Sequence, residues 1–391
     1  MYPSLYYAFK DLFGLDWPGL KMVQMFGFFV AVAFLTSAYF WTKELKRKEN
    51  EGLLGTTTNK VLKGQKATSS ELFFSGLLGF LIGYKLLYIA INFNAFTEDT
   101  QGFLLSTKGN IVGGIILGAI SVYLKYREKE KTKLATPIWV EEVMHPYQHV
   151  GNMTLIAAFA GLLGAKIFHN LENWSTFIAD PVGALLSFDG LTMYGGLILA
   201  SIALILYGRK YKIPTPHLID SSAPSIMIGY AVGRIGCHMS GDGDWGISNL
   251  NPKPNWLSWA PDWVWSYDYP HNVVNDGVEI LNCVTDKYCN HLVPSVYPTP
   301  FYETLMCLFL FAILWSIRKR IKTPGVLFSI YLIFNGIERF LIEKIRVNTL
   351  YDVNGFKFTQ AELISTILFI LGVIGIFYFR KKAEKEKRTI D

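Results

Sequence analysis

The chain has 391 residues, of which 51% are hydrophobic and only 17% charged, and its mean hydropathy is positive. So few polar groups cannot cover a soluble surface, which excludes a soluble multidomain protein and requires contact with lipid. The net charge of +6 is gathered in short clusters between apolar runs, not along one basic face, which excludes a nucleic-acid partner.

The first apolar run, 20–41, follows a polar, aromatic lead-in, so no cleavable signal peptide is read there. Further runs of spanning or near-spanning length follow at 71–92, 109–125, 152–170, 190–208, 221–238, 300–318, 324–344 and 359–380. The runs predict an all-α polytopic membrane protein of about nine transmembrane helices. The run at 221–238 is the least apolar, since it carries Ser221, Ser222, Pro224 and Arg234. Such a helix is expected to be buried among others or to line a cavity.

Basic clusters set the expected orientation. Segments 43–66, 125–133, 209–212, 318–322 and 380–388 hold 25 of the 37 Lys and Arg residues, and they occupy every second connection. The intervening segments are nearly free of them, so the N-terminus is expected outside and the C-terminus inside. The long outer loop, 239–299, is rich in aromatics, including Trp245, Trp256, Trp259, Trp263, Trp265, Tyr267 and Tyr269. Two readings fit that density: a segment resting at the lipid headgroups, or a small cap with an aromatic core.

An internal repeat is also legible. Gly76–Gly79 recurs as Gly161–Gly164, the Leu104-Leu105-Ser106 stretch before Gly109 recurs as Leu185-Leu186-Ser187 before Gly190, and Gly113-Gly114 recurs as Gly195-Gly196. The chain therefore divides into 1–66, a first helix and basic loop; 67–133, an extra helix pair that duplicates its neighbour; and 134–391, which with the first helix makes a seven-helix core. The four cysteines, Cys237, Cys283, Cys289 and Cys307, lack zinc spacing, and Cys283 and Cys289 lie close enough to admit one disulfide.

A charge inside a membrane span costs at least ~2.5–3.5 kcal/mol near the bilayer centre, so each needs a reason. In the eighth run Asn335, Arg339 and Glu343 recur at a spacing of four and share one helix face, where Glu343 can orient Arg339. Glu338, Lys344 and Arg346 read as interfacial groups snorkelling to water. In the sixth run an apolar helix meets Arg234 and then breaks into a glycine-rich turn, Gly241-Asp242-Gly243-Asp244-Trp245-Gly246. Free backbone N–H groups in such a turn can hold an anion. The turn lacks the length and ligand pattern of a calcium loop, and no metal or cofactor is read.

The segment from Gly233 to Gly246 resembles the signature of the prolipoprotein diacylglyceryl transferase family, Gly-Arg-x-Gly-Asn-Phe-x-Asn-Gly-Glu-x-x-Gly. Further resemblances follow the family's order: Asp189-Gly190 with Tyr194-Gly195-Gly196-Leu197-Ile198, Asp220 with Pro224, Tyr297 to Glu303, and Arg339 to Glu343. Three departures stand out. Tyr194 occupies the family's histidine position, Cys237 its asparagine, and one inserted residue makes Asp242 and Asp244 rivals for its acidic position.

The resemblance implies an enzyme of the bacterial inner membrane, with its site toward the outer leaflet. The implied reaction transfers the diacylglyceryl group of phosphatidylglycerol to the lipobox cysteine thiol of a prolipoprotein signal peptide, forming a thioether and releasing glycerol phosphate. It implies catalytic roles for Arg234, Arg339, Tyr194 and Glu343. It implies substrate binding by Arg234, Arg339, Gly246, Asp242, Asp244, Tyr302, Glu303, Asn335 and Asp220, among membrane lipids. Arginine suits the phosphate because its fork stays charged and binds oxygens in pairs. The thiol base is open among His238, Asp242, Asp244 and Glu343, since Tyr194 is a poor base at neutral pH. A transporter or channel for an organic anion would also need buried arginines and is the alternative reading.

Overall fold

The computed structural model describes residues 1–98, 102–103, 106–186, 192–283, 287–353 and 355–390. Ser187, Asp189 and Gly190 of the sequence motifs, and Leu104 and Leu105 of the repeat, lie outside the described residues. After a short amphipathic helix, α1 (Leu5–Phe13), nine described helices reach 18 residues or more. They are α2 (Met25–Asn50), α3 (Ser69–Ile91), α4 (Ile111–Thr132), α5 (Val150–Glu172), α6 (Met193–Lys210), α7 (Thr215–Ser240), α8 (Thr299–Ile317), α9 (Val326–Glu343) and α10 (Gln360–Ile390). Each overlaps one of the apolar runs. Five of them, α2, α3, α5, α8 and α10, are long and apolar enough to cross a membrane by length and composition. The protein is a helical membrane protein, and the other four helices carry polar or charged residues within their length.

Two compact units divide the chain, one formed by 1–55, 146–172 and 190–391, the other by 56–145 and 173–189. In the second, α3 and α4 pack as an antiparallel pair. Strands β1 (Thr57–Lys63) and β2 (Ile138–Met144) flank that pair and join in register from Thr57↔Met144 to Lys63↔Ile138. The all-helical expectation missed this ladder because its strands are short and set in charged connections. Two smaller ladders, β3 (Val278–Glu279) with β4 (Asn290–His291) and β5 (Leu350–Val353) with β6 (Phe356–Thr359), also lie outside that expectation.

The repeat has a physical counterpart, with its first match shifted by one helical turn. A Cβ added at Gly113 would lie 2.5 Å from the Gly83 carbonyl oxygen, and one at Gly195 would lie 2.5 Å from that of Gly164. The place of Gly164 is thus taken by Gly83, not Gly79, and both pairs close through the same backbone approach.

In the first unit α7 is the hub and packs on α2, α8 and α9. This explains its low apolarity, since its polar groups are satisfied inside the bundle. Trp41 Nε1 donates to Ser221 Oγ at 2.9 Å, and Ser37 Oγ donates to the Ser225 carbonyl at 2.8 Å. Ala223, Met227 and Ala231 of α7 form a fully buried core with Cys307 and Leu314 of α8 and Leu327 of α9. In the loop after α7 both aromatic readings have a counterpart: Trp245 and Tyr269 are core residues, while Trp256 and Trp259 are largely exposed. Cys283 and Cys289 form a disulfide in the same loop.

Candidate active site

Three helix ends converge at one side of the bundle. Arg234 lies six residues before the end of α7, about 9 Å along the axis at ~1.5 Å per residue. Glu303 lies four residues into α8, and Arg339 four residues before the end of α9. Beyond Ser240, Gly241 (φ 62°) terminates α7 in the left-handed conformation, and Gly243 (φ 96°) turns the chain back. The turn brings Asp244 against Arg234. Backbone bonds fix it there: Gly246 N–H donates to the Tyr297 carbonyl at 2.9 Å, and Ile247 N–H to that of Ile345 at 2.8 Å. Thr299 Oγ1 adds a donation to the Asp244 carbonyl at 2.8 Å. A Cβ at Gly246 would lie 2.9 Å from Thr299 Cγ2, so only glycine allows this close approach.

The side chains form an ion network around one buried carboxylate. Glu303 is fully buried and meets three guanidiniums: Arg234 through Nε, Arg339 Nη1 at 3.4 Å and Arg346 Nη1 at 3.2 Å. Asp244 takes Arg234 Nη1 and, at 2.7 Å, Arg346 Nη2. Glu343 takes Arg339 Nη2 at 2.9 Å and Asn348 Nδ2 at 2.6 Å. Three cations thus face three carboxylates, and the group is electrically balanced. Although burial pushes it up, the Asp244 carboxyl is held down at about 2 by the Arg234 and Arg346 guanidiniums.

Arg234, Arg339, Glu343, Asp244, Glu303 and Gly246 therefore come together. Asp242 sits beside them, its Oδ1 accepting the Asp244 N–H at 3.3 Å. Asn335 is half-buried on α9, one turn from Arg339. Tyr302 directs its hydroxyl away, donating to the Val264 carbonyl at 2.7 Å. Tyr194 stands half-buried in the first turn of α6, and the ion pairs among the described residues do not include it.

Asp220 does not join the group. It lies fourteen residues before Arg234 on α7, about 21 Å away along the helix at ~1.5 Å per residue. Its carboxylate accepts the Gly325 N–H at 2.8 Å and the Phe328 N–H at 2.9 Å, capping the N-terminus of α9, with the buried Lys48 at 3.9 Å. It is a helix cap at the opposite end of the bundle, not a neighbour of the arginines.

Two residues read from sequence as interfacial are withdrawn from solvent in the structure, Glu338 fully and Arg346 in large part. Arg346 belongs to the ion network, and its position three residues past Glu343 and seven past Arg339 was the available signal. Glu338 is 2% exposed, with neither carboxylate oxygen hydrogen-bonded among the described residues. His238 is caged by Trp263, Tyr267, Tyr269 and Phe301, its Nδ1 3.2 Å from the Tyr269 hydroxyl. Cys237, Asp242 and Asp244 bring one donor atom each within 4.8 Å of one another. The Arg234 guanidinium lies against both Asp244 and the Cys237 sulfur, so a divalent cation would have to bind beside a fixed positive charge.

The family model described as prolipoprotein diacylglyceryl transferase matches residues 133–378. A phosphatidylglycerol–prolipoprotein diacylglyceryl transferase of Dehalococcoides mccartyi is 30% identical over 246 residues, 62% of this chain and 82% of that protein. The enzyme of the same name from Streptococcus agalactiae is 27% identical over 276 residues, 70% of this chain and 90% of its own. That of Corynebacterium glutamicum is 26% identical over 242 residues, 61% of this chain and 71% of its own. The matched region contains every member of the ion network.

Proposed function

The chain belongs to the prolipoprotein diacylglyceryl transferase family, and from that premise we propose how its arginine cluster serves the reaction. The protein transfers the diacylglyceryl group of phosphatidylglycerol to a prolipoprotein, as its relatives are named to do. The acceptor is the thiol of a lipobox cysteine in the signal peptide, and the product is a thioether. Carbon–sulfur bond formation at the glyceryl carbon requires the adjacent carbon–oxygen bond to break, with glycerol phosphate leaving.

The observation that carries the mechanism is the convergence of Arg234, Arg339 and Arg346 on the one buried carboxylate of Glu303. A phosphodiester offers the same oxygen geometry as that carboxylate, and guanidinium forks match both. The lipid phosphate binds among the three forks. Charge that develops on the leaving phosphate then meets donors already in place, in a water-poor site where such donors act most strongly. Glu303, Asp244 and Glu343 hold the forks apart and aimed while no lipid is bound. Tyr194 and Asn335 position the lipid from α6 and α9.

The nine long helices all cross the bacterial inner membrane, with the N-terminus outside and the C-terminus inside. The basic connections support this direction. So does the Cys283–Cys289 disulfide, since such bonds persist on the oxidising side of the membrane. The cluster then opens toward the outer leaflet, where precursor signal peptides emerge.

The test is the release of water-soluble glycerol phosphate from headgroup-labelled phosphatidylglycerol in vesicles containing the purified protein. Release is expected only with a lipobox peptide bearing cysteine. Release without peptide would instead indicate a lipid hydrolase, and no release with peptide would contradict the transferase reading.

A further inference from the structure

We propose that Asp242 is the general base that takes the proton from the substrate thiol. The proposal rests on the transferase reading above and assigns the half of the reaction that the arginines do not perform.

The other candidate bases, Asp244, Glu343 and His238, are already engaged, and Glu338, though without a hydrogen bond among the described residues, is only 2% exposed. Glu303 meets three guanidiniums, Asp244 two, and Glu343 is held by Arg339 and Asn348. A carboxylate in that state has its proton-accepting lone pairs directed at cations. His238 is enclosed by aromatic rings, with Nδ1 at the Tyr269 hydroxyl. Asp242 differs from all of them. It is half-buried, and no guanidinium or ammonium pairs with it among the described residues. It meets only the Asp244 N–H and the Cys237 thiol.

Its position suits the task. Asp242, Asp244 and Cys237 present oxygen and sulfur atoms within 4.8 Å of one another, and Arg234 holds the far side of Asp244. A thiol attacking a lipid whose phosphate rests on Arg234 therefore passes within reach of Asp242. The left-handed glycines on either side, Gly241 and Gly243, present this side chain at the tip of the turn. The groups that face it are Arg234 and Cys237 of α7, Asp244 of its own turn and Tyr269 of the following loop. Burial and then the Asp244 charge push the Asp242 carboxyl above its ordinary value, toward the range useful for a base.

In the step, the thiol proton moves to the Asp242 carboxylate. The sulfur bonds to the glyceryl carbon as that carbon's bond to phosphate oxygen breaks, and the bonding pair leaves on glycerol phosphate. The proton on Asp242 then passes to the departing phosphate or to water, which resets the base.

Asp242→Asn keeps a side-chain oxygen for the Asp244 N–H and removes the basicity. Assayed in phosphatidylglycerol vesicles with a lipobox peptide, it should lose about 100-fold or more in kcat. The KM for lipid should be unchanged, and the acid limb of the pH profile should disappear. Asp242→Glu should restore part of the rate. Asp242→Asn with wild-type turnover, or with lowered turnover and an intact acid limb, would overturn the assignment. Absence of thioether in the wild-type control would overturn the transferase reading, and this assignment with it, which separates the two failures.

Discussion

The guanidinium of Arg346 lies 3.2 Å from Glu303 Oε1, although Arg346 stands three residues beyond the end of α9 and Glu303 belongs to α8. In the proposed phosphate clamp Arg346 is a third member, largely covered where its sequence position suggested an exposed cation. Arg346→Ala should lower transfer about 100- to 1000-fold, the usual cost of removing one preorganised donor. Arg346→Lys should recover little, because an ammonium keeps the charge and loses the fork. Thioether formation by the two variants checks both statements.

Glu303 holds the three cations together, so its removal should be felt in stability as well as activity. Glu303→Gln leaves one positive charge uncompensated in a buried group. Breaking a buried pair in this way costs about 3–5 kcal/mol. Thermal unfolding in detergent should show a clear fall in Tm, partly reversed by added phosphate, which replaces the missing anion. An unchanged Tm would contradict the balanced-charge account.

Asp244 supplies a pH signature. Its carboxyl is held at about 2 in the folded protein, below its ordinary value of 3.8, by the Arg234 and Arg346 guanidiniums. A lowered folded value means that the stabilisation is complete above the unfolded value and lost as pH falls through the folded one. Wild type should therefore lose stability between pH about 4 and about 2 more steeply than Asp244→Asn. Parallel unfolding curves for the two across that window would refute the ion pairing.

Asp220 should behave as a structural residue. Asp220→Ala removes both caps of α9 and leaves Lys48 buried without its carboxylate. Hydrogen bonds to a charged group contribute about 1.5–3 kcal/mol each, so unfolding should shift strongly. The folded fraction should retain its KM for phosphatidylglycerol. A raised KM with unchanged stability would return Asp220 to the substrate site.

Much of this arrangement could be read from the chain, for reasons that differ by residue. Membrane energetics marks Arg234 and Arg339, because a charge within an apolar run demands a partner. A spacing of four places Glu343 beside Arg339. The long helices follow from hydropathy alone. Arg346 was hidden because it lies just past its helix, where a cation can ordinarily reach water. What covers it is the return of the chain at Gly246, a tertiary pairing that no local pattern encodes. Asp220 misled in the opposite sense. A carboxylate beside Pro224 in a polar helix resembles a site residue, and only the packing of α9 on α7 reveals it as a cap. The β1–β2 ladder joins segments about eighty residues apart, beyond the reach of periodicity.

The most direct test of the central claim is mass spectrometry of a lipobox peptide incubated with the purified protein in phosphatidylglycerol vesicles. Wild type should add one diacylglyceryl group to the cysteine, and Arg234→Ala should add none in the same period. An unmodified peptide with wild type, or equal modification by Arg234→Ala, would contradict that claim.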